Sequence, residues 1–168
     1  MPVTPFHFGV GLLGKGVAPR AVSLCAFVAS QVVIDCESAY FLFVARAEPV
    51  HRVLHTFALA TPVGALVGLA VWAVGRGVRW PPALDWLRSD CALRPALVGG
   101  LLGGLTHPLL DGIMHDDIRP FRPFSDANPL LDAMGLGPLH LACVLLGAAG
   151  VALLALRVAR DLRERLVP

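Results

Sequence analysis

Apolar residues gather in four segments of this chain, roughly 21–45, 53–75, 93–114 and 137–159. Each is close to the ~20 residues that a helix needs to cross a hydrocarbon core. Glu48-Pro49 parts the first two, and Gly75-Arg76-Gly77 with Pro81 and Pro82 opens the loop between the second and third. A loop rich in Pro, Asp and Arg, from Asp116 to Pro138, precedes the last segment. The expected fold is all-α: a multi-pass transmembrane bundle of four spanning helices forming one domain over residues 1–168. Residues 5–14 are also apolar and Gly-rich, and Gly16–Pro19 could turn the chain. That stretch is expected to be a short N-terminal apolar or re-entrant segment. The first long run contains Asp35 and Glu37 and lacks a convincing cleavage site, so a retained helix is expected rather than a signal peptide.

Composition points the same way. Of 168 residues, 56% are hydrophobic and 15% charged, and the mean hydropathy is +0.69. That is too apolar for an ordinary soluble domain. The net charge of +2 is spread over loops and tail, with no basic patch interleaved with aromatics, so nucleic acid is not an expected partner. Cys25, Cys36, Cys91 and Cys143 form no Cys-x-x-Cys pair and read as apolar fillers. With four spans, ten of the fourteen Lys and Arg residues fall on the side shared by the N-terminus, the middle loop and the C-terminus. The positive-inside rule then places both termini in the cytoplasm. The tail Arg157–Arg165 reads as a helix end with a basic face suited to anionic lipid. Abundant Arg and Ala with a single Lys hint at a bacterial source, hence an inner membrane. Gly64 and Gly68, and Gly99, Gly100, Gly103 and Gly104, form Gly-x-x-x-Gly patterns. These serve close packing, within the chain or in a homo-oligomer.

The chemistry lies in ionisable residues at membrane depth, which are costly and usually functional. In the oriented scheme Asp35 lies in the outer half of the first span. His51 and His55 open the second, and His107, Asp111 and His115 climb the end of the third. All reach one outer level, although the orientation came from Lys and Arg alone. Residues four apart share a helix face. His51 and His55 make one such pair, and His107, Asp111 and His115 make a ridge if the helix persists. Imidazoles with carboxylates suit a divalent metal, Zn²⁺ first, with Mn²⁺ or Fe²⁺ as alternatives. Asp35, His55, His107 and Asp111 are the leading ligands, followed by His51, His115 and His7. His7 lies on the other side in a simple four-span scheme, and a re-entrant hairpin would return it towards Asp35. Glu37 and Asp116 are candidates for a general base. Arg119 and Arg122 suit a phosphate, because guanidinium donates two parallel hydrogen bonds.

Several of these residues resemble the membrane-bound metal-dependent hydrolase family, the LexA-regulated inner-membrane hydrolases. They are Thr4-Pro-Phe-His-Phe-Gly9, Asp35, His51-Arg52-x-x-His55-Thr56, Thr106-His107-Pro-Leu-Leu-Asp111, and Arg119-Pro-Phe-Arg-Pro-Phe-Ser125. The chain differs in having Asp35-Cys36-Glu37 where the family has Asp-x-Asp, and in Thr56 following the second His. The resemblance implies hydrolysis by metal-activated water. In that reading Ser125 joins Arg119 and Arg122 in holding a phosphoester or lipid-linked substrate at the bilayer. Two other classes compete: a small transporter with a proton or ion path through the same His and Asp residues, and a structural or partner-binding membrane protein.

Overall fold

The computed structural model describes residues 4–166. All regular structure among them is helical. Helix α1 covers Thr4–Val17 and α2 covers Leu24–Ala39, continuing as a π-helical turn over Tyr40–Ala45. A 3₁₀ turn at Val53–His55 leads into α3, Phe57–Gly77. A second 3₁₀ turn, Pro82–Leu84, runs into the short α4, Asp85–Asp90. Helix α5 covers Leu93–Met114 and α6 covers Leu136–Leu166. Four helices are long and apolar enough to cross a membrane: Leu24–Ala45, Phe57–Gly77, Leu93–Met114 and Leu136–Glu164. Their outward faces carry large apolar side chains such as Phe43, Leu66, Leu105 and Leu145, all exposed. Lipid would cover that surface.

Small residues set how closely the helices approach. A Cβ on Gly64 or Gly100 would meet the other's carbonyl oxygen, and one on Gly104 would meet that of Ala60, so α3 and α5 touch backbone to backbone. A Cβ on Gly99 would meet the Ser23 carbonyl, and one on Gly103 the Ser30 hydroxyl, which brings α2 onto the neighbouring face of α5. Both Gly-x-x-x-Gly faces are thus spent inside the chain and are not open to a second copy. Helix α5 is the shared wall between α2 and α3.

Helix α1 is the expected short N-terminal apolar segment, but it runs so that its start and the far end of α6 stand at opposite levels, not on one side as expected for the two termini. It starts at the level of Asp111, where His7 Nε2 lies 3.2 Å from Asp111 Oδ1. It ends at the opposite level, where Lys15 Nζ lies 2.5 Å from Asp90 Oδ1. The turn before α2 then sends the chain back, so α1 and α2 form an antiparallel hairpin. Helix α6 runs alongside α1 in the same direction. A Cβ on Gly9 would meet the Cys143 carbonyl, and one on Gly16 the Gly150 carbonyl. Arg157 Nε and Nη2 donate to the carbonyls of Gly16 and Val17, capping the C-terminal end of α1. The Arg165 side chain of the basic tail, and residues 1–3 and 167–168 of the single domain, lie outside the described residues.

At the Arg-rich end one acid ties three helices together. Asp90 ends α4, and its carboxylate accepts from the Ser23 hydroxyl and the Leu24 and Cys25 N–H groups, the open N-terminus of α2. Burial alone would raise the Asp90 carboxyl. The Lys15 ammonium and the Cys25 donors outweigh it and hold the group below the usual aspartate range. Ser23 N–H also donates to the Pro95 carbonyl, which fixes the register of α2 against α5.

Candidate metal centre

That register aligns the polar residues. Asp35 lies twelve residues beyond Ser23, and His107 twelve beyond Pro95. At 1.5 Å per residue both stand about 18 Å from the Asp90 end. Asp35, His55, His107 and Asp111 are all buried, and each brings one ligand atom to within 4.8 Å of the others. His107 Nε2 lies 3.0 Å from Asp111 Oδ2 and 3.3 Å from Asp35 Oδ1. His55 Nε2 lies 3.7 Å from each of the same carboxylates.

These distances can be tested against a metal. Bonds of about 2.0–2.1 Å at the tetrahedral angle hold neighbouring ligand atoms roughly 3.3 Å apart. The observed values bracket that figure. The Nε2 atoms of His55 and His107 and both Asp111 carboxylate oxygens are buried without a hydrogen bond among the described residues. Buried polar atoms left so are costly. A cation at their centre would satisfy the two Nε2 atoms and Asp111 Oδ2, so this group of residues could hold a metal ion.

The imidazoles are also set for that task from behind. His107 Nδ1 lies 2.5 Å from Gln31 Oε1, and His55 Nδ1 lies 3.2 Å from Glu37 Oε2. An acceptor at Nδ1 places the proton there and turns Nε2, as a lone pair, towards the centre. His55 ends the 3₁₀ turn, outside the spans. Burial would lower its pKa, but Asp35 and Glu37 outweigh burial and raise it. The pocket therefore favours added positive charge, whether proton or metal.

Two expected ridges are broken. His51 lies in a loop and His55 ends a 3₁₀ turn, so they do not share a helix face. Thr56 explains the boundary: its hydroxyl accepts from Leu59 N–H and starts α3 only there. Helix α5 ends at Met114, and His115 follows it in extended backbone. His51 and His115 instead meet each other, ring centroids 4.3 Å apart. Asp117 joins them, its Oδ1 2.8 Å from His51 Nδ1. These three form a second cluster with ligand atoms within 4.8 Å. His7 reaches the first cluster through Asp111. His140 stacks on Phe6 instead.

The candidate bases have other tasks. Glu37 accepts from the backbone N–H groups of Arg52, Val53 and Leu54 besides facing His55. With four donors around it, it orients rather than receives a substrate proton. Asp116 is exposed and lies in neither metal-competent cluster. Gln31 and Asp117 did not stand out in the sequence. Gln31 had a signal, lying four residues before Asp35 on the same face of an apolar helix. Asp117 had none beyond its place in an acid-rich loop.

A cavity of about 890 Å³ opens beside His51 and Asp117. Arg52, Arg119 and Arg122 line it with Val53, Leu59 and Phe124. Arg119 also donates to the carbonyls of Asp116 and Ile118, and Arg122 pairs with Asp126. Ser125 does not line the cavity, and its hydroxyl accepts from Ala127 N–H in a local turn. No family model matches this chain, and no curated protein or solved structure does either. The resemblance to membrane-bound hydrolases rests on its motif residues alone.

Proposed function

We propose that this protein is a membrane-embedded metal-dependent hydrolase acting on a phosphoester carried by a lipid. The observation that carries the reading is the buried meeting of Asp35, His55, His107 and Asp111, with Gln31 and Glu37 holding the two imidazoles from behind. Zn²⁺ suits two imidazoles and two carboxylates best, and Mn²⁺ or Fe²⁺ fit the same donors. A divalent cation held by these residues would supply Lewis-acid charge and acidify a bound water. The chain's own residues do the rest. Arg119 and Arg122 face a phosphate, while Val53, Leu59 and Phe124 offer the same cavity an apolar wall for an acyl chain. The setting that fits is a bacterial inner membrane, with the Arg-rich end in the cytoplasm and the cavity towards the other face.

A transport path is less well supported. Between the cluster and the Lys15–Asp90 pair, Ala26, Phe27 and Ile34 are wholly buried and tightly packed. The ionisable groups within the spans are gathered at one depth, as an enzyme needs, rather than strung across the bundle.

The test is metal content of detergent-purified protein beside His107→Ala/Asp111→Ala, followed by release of phosphate from phosphorylated lipids. Near-stoichiometric metal that the variant loses, with hydrolysis that follows it, is the expected result. A folded wild type that retains no metal under metal-replete conditions would overturn the reading.

A further inference from the structure

The second cluster is not an extension of the first. His51 and His115 come from loops, whereas His107 and Asp111 lie on α5 and Asp35 on α2. The Nε2 atoms of His51 and His115 are both buried and form no hydrogen bond among the described residues. His51 is 4% exposed. Two adjacent imidazoles with bare, buried nitrogens are unfavourable unless something positive lies between or beside them. Asp117 provides the anionic donor. Asp117 Oδ2 also accepts from Val50 and His51 N–H, which locks the two loops together around the cluster.

The two clusters are neighbours. His51 and His55 stand edge to face with ring centroids 4.7 Å apart. Only the second opens on the cavity, through His51 and Asp117. The first lies deeper, with His55, His107 and Asp111 wholly buried.

We propose that His51, His115 and Asp117 bind a second divalent cation, giving a two-metal centre whose outer position faces the substrate cavity. This rests on the metal-dependent reading above and adds to it which position meets the phosphate. Phosphoester hydrolases often divide labour between two cations, one towards the attacking oxygen and one towards the leaving oxygen. Here the inner position is built on helices and the outer one on loops beside Arg119 and Arg122.

The test counts ions in the full chain in detergent, loaded with Mn²⁺. Wild type should bind two per chain and show an exchange-coupled spin signal. His51→Ala/His115→Ala should bind one, with the signal of an isolated ion. Asp117→Asn keeps the loop's backbone acceptor. It should bind the second ion about tenfold or more weakly, and it carries the test if the double variant does not fold. One ion per chain in wild type, or unchanged binding in the folded variants, would overturn the second site and leave the first standing. No bound ion in any protein would overturn both.

Discussion

Gln31 holds the Nδ1 of His107 through a neutral amide rather than a charge. Its amide nitrogen is fixed in turn by the Gly103 carbonyl, 3.2 Å away. Replacing it by leucine keeps the volume and removes the orientation of the ring. Gln31→Leu should weaken metal binding about 10–100-fold with the helical content unchanged. Competition against a chelator would measure this, and unaltered affinity would show that Gln31 only fills space. At this scale the sequence was legible where a polar residue interrupts an apolar run: Asp35, His107 and Asp111 announce themselves by depth. The pairing of His51 with His115 was not, because helical spacing links His51 to His55 and only the end of α5 at Met114 releases His115. Glu37 lies two residues after Asp35 and off its face of α2. It reaches His55 because the incoming loop, not α2, brings the imidazole to it.

The glycines of α5 carry a sharper expectation at the scale of elements. Gly100→Val would drive side-chain atoms into the Gly64 carbonyl, part α3 from α5 and move His107 and Asp111 away from His55. It should cost roughly 1–3 kcal/mol or more and lower metal content together with stability. Gly77→Ala is the control, since a Cβ there meets nothing within 4 Å. It should be neutral or stabilising by about 0.4–1 kcal/mol. Thermal unfolding in detergent would compare them, and equal behaviour would show that the helices can separate without loss. The spans themselves were readable from apolar length, and the third coincides with α5 at 93–114. Helix α1 was harder, because a fourteen-residue helix is too short to register as a crossing. Only its packing on α6 and α2 shows which way it runs.

Across the whole molecule, Asp90 joins α1, α2 and α4 at the end remote from the candidate metal centre. Its carboxyl titrates below its ordinary value of 3.8 in the folded protein. Its contribution is therefore complete above that value and is lost as pH falls through the lowered one. Asp90→Asn should cost about 1–3 kcal/mol at neutral pH, because the Lys15 ammonium loses its carboxylate partner and keeps only the Pro19 carbonyl. The gap between the two proteins should narrow as pH falls below 3.8 and through the lowered value. Unfolding midpoints across that range would show it, and a gap independent of pH would assign the loss to shape rather than charge.

Helix α5 has one further property, visible in Leu101, Leu105 and Leu109. These recur every four residues on its exposed stripe, while Gly99, Gly100, Gly103, Gly104, His107 and Asp111 are buried. Mutational tolerance along this helix should therefore be periodic. The stripe can drift freely among apolar residues, whereas the positions between can neither grow nor change polarity. Libraries built to redirect the chemistry should leave α5 untouched and vary the loops that carry His51 and His115.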